Sequence, residues 1–256
     1  MSAEWKITIL KNLKLKESVL IEGMPGIGNV GKIAADMLVE QLKAEKVASF
    51  FSFCLPNSVF VKDNNMVELP KIELFHKKVG KKDYLFLLGD VQPMDSEDSY
   101  NLTESILGLV AKYKCKEIIA LGGIGLQESP EKPKLYCTGN NEKLIKEFTS
   151  LGVSNNLYGF VGPIMGITGL LLGLSAKRKM DALALLCETS VHPMHIGLRE
   201  AKELMSIIEK KYKLGVSLEK VEKNIKKLEQ GMKPILRQQE LGKGKNEPHS
   251  DTSYIG

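Results

Sequence analysis

The chain has 256 residues, of which 43% are hydrophobic and 26% charged. A chain of this size and balance buries a core without disulfide or metal staples, which excludes a mainly disordered chain, a collagen-like chain and a disulfide scaffold. Much of its net charge of +5 lies in the last forty or so residues and in the Lys6 to Lys16 stretch, lysines alternate with glutamates as in EKVEKNIKK, and only 6% of residues are aromatic. Solvated helix faces are therefore expected, rather than a basic, aromatic-studded nucleic-acid surface.

The opening MSAEWKITIL lacks the basic-then-apolar layout of a secretory leader. The apolar run from Gly159 to Ala176 is broken by Pro163 and several glycines, a poor membrane span. Cys54, Cys115, Cys137 and Cys187 lie far apart with no CxxC, so neither a zinc site nor a disulfide framework is signalled and a reducing cytoplasm is expected.

In chain order, short apolar runs alternate with amphipathic stretches. The runs are SVLIEG, VASFFSF, DYLFLLGD, EIIALGGIG, LYGFVGP and DALALLCET. Continuous apolarity suits strands covered on both faces, as in a mostly parallel sheet. Between them, helical spacing runs over Val30 to Leu42, Ser99 to Tyr113, Glu142 to Leu151, Met165 to Ala176 and His195 to Tyr212. This rhythm predicts an α/β domain over residues 1–215, with helices on both sheet faces. Ser58 to Lys78 departs from it: SVFVK and MVELPKIELFHKK flank Asp63-Asn64-Asn65 and read as an antiparallel hairpin at one edge.

Residues 216–237 form a further unit, in which Leu218, Val221, Ile225, Leu228, Met232 and Ile235 fall on one helix stripe. Ser217 suits the N-cap and Pro234 distorts the last turn. So narrow a stripe fits either an oligomer seam or docking on the chain's own core. Residues 238–256 carry no periodicity and read as a flexible tail.

The motif after the first predicted strand is GMPGIGNVGK. Gly26, Gly28 and Gly31 satisfy G-x-G-x-x-G, in which glycines let a pyrophosphate reach backbone N–H groups at a helix start. The acid that would hold a ribose is missing, because VASFFSF runs into Cys54-Leu55-Pro56. Gly26 to Lys32 also reads G-x-x-x-x-G-K, with Asp90 at a later strand end as a possible magnesium partner, but Ile33 replaces the hydroxyl residue of a P-loop. The other reading is a tight strand-to-helix turn whose glycines permit close packing.

Glu22, Asp90, Glu128 and Glu188 stand near strand ends, where a parallel sheet places its crevice. Two of them in one cleft could form an acid/base pair, although capping roles explain single acids equally well. His192 and His195 form H-P-M-H, but Pro193 between them and the lack of a third ligand argue against metal. Ser175 and Ser190 lack the nucleophile elbow. GGIG at Gly122 to Gly125 and GPIMGITG at Gly162 to Gly169 add two glycine-rich turns, giving a backbone-lined rim for a small anion or for a neighbouring subunit.

Taken together, EGMPGIGNVGK, GDVQP at Gly89 to Pro93, ALGGIG and GPIMGITGLLLGL resemble the proteasome assembly chaperone family, and most of all the archaeal homologues of the second eukaryotic assembly chaperone. The resemblance runs from about Val19 to Tyr212. It implies a three-layer α/β/α domain similar to nucleoside phosphorylases, without established chemistry and without a cofactor, whose glycine loops are fold signatures. It also implies self-association and binding to α-subunits of the 20S proteasome. Some proteasome partners end in a hydrophobic-Tyr-X tail whose carboxylate pairs with a pocket lysine. Here Tyr254, Ile255 and Gly256 close the chain, with Tyr254 one place early and Ser253 in the hydrophobic position.

Overall fold

The computed structural model describes residues 4–62, 64–128, 130–157 and 162–227. In chain order the elements are β1 (Lys6–Ile9), β2 (Ser18–Gly23), a 3-10 turn (Ile27–Asn29), α1 (Val30–Leu42), β3 (Glu45–Phe51), β4 (Phe60–Val61), β5 (Val67–Glu68), β6 (Ile72–Val79), β7 (Lys82–Gly89), α2 (Ser96–Lys112), β8 (Cys115–Leu126), β9 (Leu135–Gly139), α3 (Glu142–Thr149), α4 (Gly166–Ala176), β10 (Asp181–Ser190) and α5 (Leu198–Tyr212). The chain divides into two compact units, Met1–Leu218 and Glu219–Gly256. In the second, residues 219–227 are helical. Val221 and Ile225 of the predicted stripe lie on that helix, whereas Leu228, Met232, Ile235 and the tail residues Tyr254, Ile255 and Gly256 lie outside the described residues.

Eight strands form one sheet in the order β1-β3-β6-β7-β2-β8-β10-β9. Its centre is parallel: β7 with β2, β2 with β8, and β8 with β10. The outer pairings are antiparallel, so the parallel sheet expected from the apolar runs is the middle of a mixed one. Helices α1 and α5 pack together over one face, and α2 and α4 over the other, giving three layers. Leu20, Leu85, Leu87, Ile118 and Ala182 of the sheet meet Leu102, Ile106, Ile167 and Leu171 of α2 and α4 in one buried cluster. By the two-residue strand period, Glu22 falls on the same face as Leu20.

The edge hairpin is shorter than its sequence pattern suggests. β4 and β5 pair around Asn64 and Asn65, but Pro70 ends the second arm. The remainder, IELFHKKV, becomes β6, an interior strand between β3 and β7. A two-residue turn joins β6 to β7, with Gly80 at φ +59°, the left-handed geometry that such turns require. The strand expected at LYGFVGP is not formed by its described residues, Leu157, Gly162 and Pro163, and residues 158–161 lie outside the description. β9, from LYCTG, is the strand the apolar-run reading passes over, because its apolar run is only three residues long before Thr138 and Gly139 and it is placed at an edge.

Glycines set the spacing at the centre. A Cβ on Gly23 would lie 2.4 Å from the Gly31 carbonyl oxygen, and one on Gly31 would lie 2.1 Å from the Leu121 carbonyl oxygen. Helix α1 thus rests on β2 and β8 backbone to backbone. Gly31→Ala is expected to destabilise the fold by about 1–3 kcal/mol through overpacking, despite the gain in helix propensity. Gly26→Ala, whose Cβ would meet nothing within 4 Å, is expected to stay within about 0.5 kcal/mol of the parent. Urea unfolding midpoints check the pair, and equal midpoints would contradict the packing role of Gly31.

Candidate functional site

At the C-terminal ends of the parallel strands lies a crevice of about 610 Å³, lined by the turn after β2, the end of β8 and the segment leading into α4. Such an end, flanked by two strand connections, is where open α/β sheets bind ligands. Gly26, Ile27, Gly31, Leu121 to Leu126, Ile164, Met165 and Thr168 are among its walls. None of the described lining residues carries a charge.

Gln92, from the GDVQP step, braces the crevice. Its amide Nε2 donates to the Pro25 carbonyl, and its Oε1 accepts from the Ile167 N–H at 2.9 Å. It therefore caps the start of α4 while holding the turn after β2. Gly166, at φ +72°, leaves room for it: a Cβ there would lie 2.5 Å from Gln92 Oε1.

Below the crevice sits Glu22, fully buried. Its Oε1 accepts from the Met24 N–H at 2.9 Å, and the Thr168 hydroxyl lies 3.3 Å and 3.2 Å from its two oxygens. Burial is the dominant influence and pushes the carboxyl up to about 7, against the lowering effect of the Met24 and Thr168 hydrogen bonds. A carboxyl in this position sits protonated in the folded protein below neutral pH.

The other predicted site residues do not converge here. Gly28, at φ +63°, packs against Thr189, where a Cβ would meet the hydroxyl at 2.7 Å. Lys32 turns away from the crevice: its Nζ lies 3.0 Å from Asp36 and 3.6 Å from Asp90. Lys32 and Asp90 instead line a separate depression beside the β4–β5 hairpin, and Asp90 also accepts from the Lys71 N–H at 3.0 Å. Lys32 and Asp90 are thereby brought together, but away from the crevice that Gly26 and Gly31 line.

Glu188 secures the edge of the sheet, accepting from the Lys134 N–H at 2.9 Å and from the Tyr136 hydroxyl at 3.0 Å. Glu128 is exposed. The two histidines take different partners. His195 Nε2 lies 2.7 Å from Glu200 Oε1, and His192 Nδ1 accepts from the Met194 N–H at 3.2 Å. Thr189 donates to the same Glu200 oxygen at 3.1 Å, so a carboxylate stands between hydroxyl and imidazole, the wrong order for activating a nucleophile.

Among the described residues no group of three or more His, Cys, Asp or Glu could hold a metal ion, and no helix is long and apolar enough to cross a membrane. Burial pushes the Cys115 thiol up to about 12 and the Cys137 thiol up to about 11, which keeps both unreactive. Sequence reasoning singled out Glu22 but not Gln92 or Thr168. A glutamine one residue before a proline at a strand-to-helix step was the available signal for Gln92, whereas Thr168 carries none.

The fold and the crevice define a three-layer α/β/α protein with an uncharged recess at its strand ends. Residues 20–236 match the model of the PAC2 family, and the chain belongs to that family. It is similar to PbaB of Pyrococcus furiosus, an archaeal proteasome activator, with 29% identity and a TM-score of 0.81, covering 91% of this chain and 98% of that one. PbaA of the same organism, an archaeal homolog of proteasome-assembly chaperone, shares the fold at 23% identity, covering 97% and 99% of the two chains with a TM-score of 0.73. An uncharacterized protein of Methanocaldococcus jannaschii is 29% identical over 246 residues, 94% of this chain and 93% of that protein.

Glu22 gives the site a pH signature. Its carboxyl titrates near 7 when folded and near the ordinary 4.5 when unfolded, so the unfolded chain releases the proton first. Stability attributable to this group falls as pH rises from about 4.5 to 7 and is level above that. Glu22→Gln retains the hydrogen-bonding shape and cannot ionise. It is expected to match the parent near pH 4.5 and to exceed it increasingly toward pH 7, by up to ~1.4 kcal/mol per pH unit. Unfolding curves at pH 4.5, 6 and 8 check this, and a gap independent of pH would refute it.

Proposed function

We propose that this protein is a non-catalytic assembly factor of the proteasome, which self-associates and binds 20S α-subunits in the cytoplasm. The observation that carries the reading is membership of the PAC2 family, together with the likeness over nearly the whole chain to PbaB, a proteasome activator, and to PbaA, a homolog of proteasome-assembly chaperone. The crevice chemistry supports it. A nucleotide or nucleoside phosphate needs a cation or an open helix start at the glycine loop. Here Lys32 is engaged by two carboxylates, and Gly28 and Gly31 are taken up by packing.

In this reading Leu218, Leu228 and Met232 form the contact between copies, since Val221 and Ile225 of the same stripe are already buried within the single chain, 1% exposed each, while Tyr254, Ile255 and Gly256 meet the α-subunits. The shifted tyrosine makes the tail contact weaker than that of a hydrophobic-Tyr-X end. Light-scattering mass of the pure protein is expected to exceed that of one chain and to rise again on mixing with α-subunits. Leu228→Glu is expected to dissociate the oligomer, and deletion of residues 252–256 to weaken the mixed complex at least ~tenfold, equivalent to about 1.4 kcal/mol. A mass unchanged by α-subunits would overturn the proposal.

A further inference from the structure

Among the described residues, no strand pairs with the end of β8 on its β2 side. Pairing between β2 and β8 ends at Glu22 with Ala120, because the chain after β2 turns away through Met24 and Pro25. β8 nevertheless continues as a strand to Leu126, held on its other side by β10 as far as the Ser190–Leu126 pair. Residues 121–126 therefore have a strand partner on one side only among the described residues, and all six line the crevice. An unpaired edge presents backbone N–H and C=O groups that seek a partner.

The recess around this edge has a definite chemistry. Its described lining is uncharged, so no side chain there offers a counter-charge to a buried ionic group of an occupant, and an uncharged one costs least to bury. Ile27 and Met165 stand at its mouth, 46% and 76% exposed. Methionine is the side chain best suited to adapt to varied apolar partners. Gly26 lines the recess in an extended conformation, φ −158°, and a Cβ there would meet no protein atom within 4 Å. Neither packing nor backbone geometry requires a glycine at that position, and what it leaves is space beside the strand edge.

We propose that the crevice is a peptide-docking site, in which an extended, uncharged segment of a partner protein adds as a strand to residues 121–126 of β8. Main-chain hydrogen bonds along the edge supply affinity, and alternate apolar side chains fill the recess, the mode of strand addition. The inference deepens the reading of this protein as one that binds proteins and locates a contact separate from its C-terminal tail.

The test is fluorescence anisotropy with a fluorescein-labelled, end-capped decapeptide alternating valine and threonine. Saturable binding is expected. It should weaken at least ~tenfold, or about 1.4 kcal/mol, with Gly26→Val, whose melting temperature should match that of the parent. Met165→Glu, at the exposed mouth, should also weaken binding, as should replacing the valines with glutamates or methylating alternate peptide nitrogens. Absence of saturable binding to the parent protein overturns the proposal. Equal binding of the N-methylated peptide also overturns it, because a simple apolar recess would then suffice. Binding of α-subunits without the peptide removes the crevice site and leaves the assembly-factor reading intact, whereas peptide binding without α-subunit binding does the reverse.

Discussion

The close approach of α1 to the central strands is the constraint on which the remaining structure depends. Gly23 and Gly31 allow the helix to rest on β2 and on the Leu121 carbonyl with no side chain between them. Gly123 does the same from the other partner, since a Cβ there would lie 2.5 Å from the Ile27 carbonyl oxygen. With the helix drawn down onto β8, the turn after β2 must leave the sheet early. The end of β8 then runs on with no paired strand on that side among the described residues. The crevice is a geometric consequence of this packing: its wall is backbone because bulkier residues would have held the helix away.

Electrostatics reinforces the same division. Ionisable groups near the strand ends are drawn into pairs elsewhere, Lys32 to Asp36 and Asp90, and His195 to Glu200. What is left at the crevice is a neutral recess with one carboxyl beneath it. Glu22 is governed by burial, opposed by the hydrogen bonds from Met24 and Thr168, so it lowers its cost by holding a proton. A neutral Glu22 joined to Thr168 ties the first turn of α4 to β2, while Gln92 ties the same turn to Pro25. The two sides of the recess are thus braced by uncharged contacts that leave its chemistry apolar.

Much of this was legible from the residues. Helix α1 runs from Val30 to Leu42 as its spacing indicates, and β2, β7, β8 and β10 coincide with continuous apolar runs, because strands buried on both faces have no alternation to hide. The missing ribose acid and P-loop hydroxyl leave both phosphate-binding motifs incomplete in the glycine loop. Less legible were strands whose patterns are broken by local chemistry. Pro70 divides one alternating stretch into the end of a hairpin and an interior strand, and the apolar run of β9, an edge strand, stops after three residues at Thr138 and Gly139. The crevice depends on where one ladder stops, at Ala120, and on a glutamine acting across 75 residues of sequence. Pairings of that range are set by tertiary packing, which no local pattern records.

The central claim is that the loop from Gly23 to Lys32 is a packing device and its crevice a recess for protein rather than phosphate. Thermal unfolding in the presence of ATP, ADP or NAD, each in large excess, tests it most directly. A ligand at a hundred times its dissociation constant stabilises by about 2.7 kcal/mol, roughly 5–10 °C for a domain of this size. The account predicts an unchanged melting temperature with each of them. A saturable rise with any one, lost in Gly26→Val, would contradict it.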